Sequence, residues 1–119
     1  MTASIELERD TCAPGTTLRG RVVLLPLPGE ESRKVELSVL WETEGKGNTD
    51  VGVALHRVLS DGDPDAGHAE HTFEVQLPAL PLSYQGFLLK IGWLVRVRRL
   101  AALGEDAVID QPFRLAWSE

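Results

Sequence analysis

The chain has 119 residues, 43% of them hydrophobic, with 12 basic and 18 acidic side chains giving a formal net charge of −6. That length supports one domain with its own core, spanning residues 1–119, and the acidic balance excludes a general attraction for phosphate backbones, so nucleic acid is not an expected partner. The lone Cys12 cannot close an intrachain disulfide, "MTASIELERD" shows no secretory pattern, and no run approaches the ~20 apolar residues of a spanning helix; the expectation is a cytoplasmic protein.

In chain order, Ile5 and Leu7 alternate with Glu6 and Glu8. Leu18, Gly20, Val22 and Leu24 alternate with Arg19, Arg21, Val23 and Leu25, and Val35, Leu37, Val39 and Trp41 with Glu36, Ser38, Leu40 and Glu42. Val51, Val53 and Leu55 alternate with Gly52, Ala54 and His56, then Phe73, Val75 and Leu77 with Glu74 and Gln76. The segment "LKIGWLVRVRR" at 89–99 puts Leu89, Ile91, Trp93, Val95 and Val97 on one parity and Lys90, Gly92, Leu94, Arg96 and Arg98 on the other. A helical reading of it leaves Trp93 and Val97 on the polar side, so the two-residue period of a half-buried strand fits better. Phe113, Leu115 and Trp117 close the pattern, with Pro112 marking that strand as an edge or a bulged one. Turn residues separate these seven strands: "APG" at 13–15, "PLPGEES" at 26–32, "EGKGN" at 44–48, "SDGDPDAG" at 60–67, "PALPLSYQG" at 78–86 and "LGED" at 103–106. About seven short strands with no helical stripe predict an all-β, immunoglobulin-like sandwich of two antiparallel sheets.

Two stretches resemble the amino-terminal half of the arrestin superfamily. One is "CAPGTTLRGRVVL", with Pro14-Gly15 ahead of Leu18, Gly20, Val22 and Leu24. The other is "FEVQLPALPLSYQGFLLKIGWLVRVRRL", where a Pro-rich loop and a Ser83-Tyr84-x-Gly86 turn lead into a long strand; the closing "QPFRL" also fits. The resemblance implies an arrestin-like sandwich and an adaptor or scaffold role rather than catalysis. Arrestins carry two such sandwiches where this chain has one, and the acidic "IELERD" replaces the basic residues with which the best-studied arrestins sense phosphate. Phosphopeptide recognition and receptor desensitisation therefore do not carry over.

Candidate chemistry is sparse. Asp61, Asp63 and Asp65 have the one-three-five spacing of a calcium loop, and His68 lies just beyond. However, Ala66 stands where an EF-hand needs glycine and Thr72 where it needs a bidentate glutamate. His68, His71 and Glu70 could begin a zinc site, which needs at least three protein ligands in correct geometry, but in an extended strand positions three apart face opposite sides. A solvated acidic loop is the expectation, with no cofactor, and a metal-responsive domain built on 61–71 is the alternative function. Cys12 has no histidine near it in sequence, and neither a G-x-S-x-G elbow nor a phosphate loop occurs, so an enzyme is not expected.

The cations concentrate on the long strand as Lys90, Arg96, Arg98 and Arg99. Pairing of that strand with 35–44 would set Lys90, Arg96 and Arg98 against Glu36, Glu42 and Glu44 on an outward face. Leu40 and Leu94 share that face. The expected function is a protein-interaction module binding a partner protein through this face or a sheet edge, with Leu40 and Leu94 as apolar anchors and Lys90, Arg96 and Arg98 setting orientation. Homodimerisation through an edge strand is a further expectation, and contact with anionic lipid headgroups a weaker one.

Overall fold

The structure, a computed structural model, describes residues 2–25, 32–45, 49–60, 69–101 and 107–117. The strands are β1 (Thr2–Leu7), β2 (Thr11–Cys12), β3 (Thr17–Leu25), β4 (Ser32–Gly45), β5 (Val51–Ser60), β6 (Ala69–Gln76), β7 (Tyr84–Gln85), β8 (Leu89–Ala101) and β9 (Ala107–Leu115). They form a three-stranded sheet in the order β1-β3-β6 and a six-stranded sheet in the order β2-β9-β8-β4-β5, with β7 also paired to β8. All pairings are antiparallel except β2 with β9, which is parallel over two residues. The predicted sandwich is present, and each of the seven predicted strands corresponds to one of these; β2 and β7, two residues each, are too short to show a period.

The core forms where the two sheets face each other. Leu18, Val22 and Leu24 of β3, Phe73 of β6 and Leu77 meet Val35, Leu37 and Val39 of β4, Trp93, Val95 and Val97 of β8, and Phe113 and Leu115 of β9. Burying each such aliphatic side chain contributes about 1.5–3 kcal/mol. Gly20 permits the close packing of this layer: a Cβ there would lie 2.6 Å from the Phe73 ring and 2.9 Å from the Glu6 carbonyl oxygen. Trp93 and Phe113 stack with centroids 5.8 Å apart and planes tilted by 39°.

Three local expectations change and one holds. The dry side of β8 begins at Trp93, because Leu89 is exposed and Ile91 only half-buried near the hairpin end of the strand. On β5, register passes from Val39↔Leu55 to Leu40↔Val53, so a bulge at Ala54 interrupts the alternation and leaves Val51 and Val53 exposed. The final strand begins at Ala107 and ends at Leu115, so Trp117 lies past it and is 70% exposed instead of pointing inward. Pro112 does sit where β9 is an edge: β2 pairs only with Arg114 and Leu115, leaving the Pro112 side unpaired among the described residues.

Candidate functional site

The outward face of the six-stranded sheet carries the charges foreseen from sequence. Register sets Glu36 opposite Arg98 and Glu44 opposite Lys90. Arg96 makes its main contacts with the neighbouring strand: Nε and Nη2 donate to the two carboxylate oxygens of Asp110 at 2.8 and 3.1 Å. Glu36 bonds His56 of β5. Arg96 is thus engaged in the sheet's own network.

Leu40 and Leu94 are direct cross-strand partners, in one row with Pro112 on β9 and Val53 on β5. The expectation that they stand open as anchors is corrected: they are 4% and 7% exposed. Both lie on central strands with apolar neighbours on each side. The rows above and below supply Arg96 and Glu42, whose ion pair at 3.9 Å spans the leucine row. Neither leucine belongs to the core between the sheets. They form a small second apolar layer sealed by long charged side chains.

The outer face of the three-stranded sheet is a closed charge lattice. Arg21 bonds Glu6 and lies 3.3 Å from Glu70, while Arg19 lies 3.3 Å from Glu74 and 4.0 Å from Glu8. Two arginines thus serve four glutamates, and the face is partly paired but stays net acidic. Such exposed pairs are screened by solvent and contribute little to stability.

The open chemistry lies at the β7 end of β8. The whole length of one edge of β8 pairs with β4, so β7 and β9 share its other edge: β7 opposite Lys90–Ile91 and β9 from Trp93 onward. Three contacts fix the segment leading into β7. The Trp93 indole N–H donates to the Pro81 carbonyl oxygen at 2.7 Å. The Ser83 backbone N–H donates to the Leu115 carbonyl oxygen at 2.8 Å, and the Leu115 N–H donates to Ser83 Oγ at 2.9 Å. The Tyr84 ring lies so close over Gly86 that a Cβ there would come within 2.5 Å of it, which gives the Ser-aromatic-x-Gly turn its glycine.

The Gly86 N–H then donates to the Leu89 carbonyl oxygen at 2.9 Å, closing a hairpin with Phe87 and Leu88 at its tip. Hairpin tips ordinarily carry glycine, asparagine or aspartate. Here Phe87 is fully exposed and Leu88 is 65% exposed, with Leu89, Tyr84 and Leu80 also exposed nearby in sequence. Beside the hairpin, between β7 and β9, is a cleft of about 370 Å³ lined by Ser83–Gln85, Lys90–Trp93 and Pro112–Arg114. Its charged residues are Lys90 and Arg114, and neither makes an ion pair among the described residues. Gly92 lines it as well, and a Cβ there would meet nothing within 4 Å.

Of the residues singled out from sequence, the structure brings Lys90 to this cleft and leaves Leu40, Leu94, Arg96 and Arg98 on the adjoining face. Sequence reading missed Arg114, Tyr84, Gly92 and the Phe87–Leu88 tip. Asp61, Asp63, Asp65 and His68 lie outside the described residues. Among the described residues no group of three or more His, Cys, Asp and Glu side chains is arranged to hold a metal ion. Cys12 is buried, and burial pushes its thiol pKa above the ordinary 9.0; Arg9 opposes this, and Glu8 and Asp10 reinforce it. No helix among the described residues is long and apolar enough to cross a membrane.

No protein-family model matches the chain, and no curated protein matches its sequence. Among solved structures, the fold is similar to that of Spo0M, a sporulation control protein from Bacillus subtilis, with a TM-score of 0.69 at 14% sequence identity. The match covers 98% of this chain and 49% of that one, so the chain spans about half the length of Spo0M. At this identity the likeness concerns the fold, and the fold is an arrestin-like β-sandwich.

Proposed function

We propose that this sandwich is a non-catalytic protein-interaction module of the cytoplasm, an adaptor that docks a partner protein at the β7–β8 end of its larger sheet. The observation that carries the reading is the hairpin tip. A fully exposed phenylalanine beside an exposed leucine, on a turn anchored to the core through Trp93 and Ser83, adjoins a cleft with two cations that make no ion pair among the described residues. Exposed apolar side chains grouped with charge are the composition of a binding patch. The sequence-assigned roles shift accordingly: Phe87 and Leu88 become the apolar anchors, Lys90 keeps its orienting role, and Arg96, Arg98 and the sealed Leu40 and Leu94 lie on the adjoining face. The regulatory character of Spo0M is consistent with such a module.

The test is site-specific photo-crosslinking in the native cell. A benzophenone side chain at position 87 is expected to capture a discrete protein, while the same probe at Glu8, on the outer face of the smaller sheet, captures none. Equal labelling from both positions would count against the reading. Co-sedimentation with phosphatidylserine vesicles that depends on Phe87 would assign the tip to a lipid surface instead.

A second mode rests on β5. Among the described residues this strand is an edge of the larger sheet, and it exposes Val51 and Val53. Edge pairing between two copies would form a homodimer. Analytical ultracentrifugation of the wild type against Val53→Lys tests it: a dimer weakened by the lysine supports this mode, and a wild-type monomer at high concentration excludes it.

A further inference from the structure

We propose that the cleft between β7 and β9 takes an extended acidic segment of the partner, with a carboxylate held between Lys90 and Arg114; the proposal rests on docking at this end of the sheet.

Four observations on the same cleft support it. First, its volume of about 370 Å³ suits one or two side chains of an extended peptide and is too small for a folded surface. Second, its charged lining is positive: Lys90 and Arg114 contribute, and no Asp or Glu lines it. Glu44 lies opposite Lys90 in the β4–β8 register, yet the two make no ion pair. Arg19 and Arg21 are paired with glutamates and Arg96 with Asp110 and Glu42, while Arg9 and Arg57 are exposed without an ion pair among the described residues. Lys90 and Arg114 differ from these in lining one cleft together with no acid in its lining, which presents a local site for an anion.

Third, the chemistry of the two cations suits a carboxylate. A guanidinium offers a planar fork of N–H donors to both oxygens, and an ammonium offers a rotatable point charge, so Arg114 and Lys90 are complementary grips on one group. The Tyr84 and Gln85 side chains, also lining the cleft, carry further donors. Fourth, the apolar hairpin tip adjoins the cations. An extended segment alternating acidic and apolar residues, with side chains two apart on one face, can place its acids in the cleft and its apolar side chains against Phe87 and Leu88.

Charge has a second consequence. The net charge of −6 repels an acidic ligand at distances beyond the cleft, so long-range steering does not assist association. Selectivity for acid then arises from short-range contacts and resides in the dissociation rate.

The experiment uses two fluorescein-labelled peptides, acetyl-(Glu-Leu)3-amide and acetyl-(Gln-Leu)3-amide, titrated against the full chain by fluorescence anisotropy. ¹H–¹⁵N spectra of the same complexes locate the site. The acidic peptide is expected to shift the amides of Lys90, Gly92 and Arg114. It should bind about tenfold more tightly than the amide peptide, an advantage lost in Lys90→Gln/Arg114→Gln, whose exposed positions leave the thermal midpoint unchanged. Equal affinity of both peptides at the cleft would overturn the acidic preference and leave partner docking intact. Acidic-peptide shifts confined to another face, or none at all, would overturn the cleft assignment, and photo-crosslinking from position 87 would then judge docking separately.

Discussion

The Trp93 indole N–H and the Pro81 carbonyl oxygen, 2.7 Å apart, join the sandwich core to the segment that leads into the exposed Phe87–Leu88 hairpin. Trp93 is among the most deeply buried side chains of the protein, so its one polar atom needs a partner inside, and Pro81 supplies it. Trp93→Phe keeps a ring in the core and removes that donor. It should lower stability by about 1–3 kcal/mol in chemical denaturation. Residues 82–86 should also lose amide protection in hydrogen exchange more than β3 or β4 does, and uniform loss would show that the bond does not anchor the segment in particular.

Adjacent residues of β8 should respond differently to charge. Val95 is fully buried between the sheets, and Val95→Asp places a carboxylate there without a partner, which should prevent folding. Leu94 is buried on the opposite face beneath the Arg96–Glu42 pair. Leu94→Ala should cost about 2 kcal/mol, toward the low end of core leucine truncations, because the layer over it is thin and mobile charged side chains can settle into the gap. Phe87→Asp, by contrast, should leave the thermal midpoint within the scatter of surface substitutions while removing partner capture. A large fall in the midpoint of Phe87→Asp would mean that the tip is structural.

The Arg96–Asp110 fork tests how the outer face holds together. Both side chains are partly exposed, so solvent screens the pair, and Asp110→Asn should cost under about 1 kcal/mol. A double-mutant cycle with Arg96→Gln should give a coupling that shrinks in high salt. A coupling unchanged by salt would identify the contact as packing rather than charge.

Cys12 sets a pH dependence. Its folded pKa lies above the ordinary 9.0 chiefly because burial disfavours the thiolate. The folded state therefore holds this proton more tightly than the unfolded chain. The corresponding stability is fully present below the ordinary thiol value and is lost as pH rises from there through the raised folded value. Urea midpoints should fall on the alkaline side of pH 9.0 in the wild type and fall less in Cys12→Ala. Alkylation by iodoacetamide should be slow until the protein unfolds; rapid native labelling would show an accessible thiolate and reopen a nucleophilic role.

How much of this was legible in the sequence depended on where each residue lies in the sheets. Trp93, Val95 and Val97 alternate cleanly because β8 is a central strand, and its burial there follows the two-residue period. The period says which face a side chain takes and not what lies over it. Leu94 was therefore placed correctly outward and wrongly in the open, since the covering Arg96–Glu42 pair depends on the β4–β8 register. Val51 and Val53 were displaced by a one-residue bulge at Ala54 that leaves no mark in composition. The cleft exists because β7 and β9 end against the same edge of β8, a relationship between segments far apart in sequence. One local signal was available: "GFLL", with two large apolar residues between a turn glycine and a strand, where a hairpin ordinarily turns on polar residues.

The most direct test of docking at the β7–β8 end is Gly92→Leu. An added Cβ at Gly92 meets nothing within 4 Å, so the leucine should fit without strain and occupy space in the cleft. The account predicts a thermal midpoint close to that of the wild type together with loss of binding to the partner captured from position 87. Undiminished binding by a folded Gly92→Leu protein would contradict it.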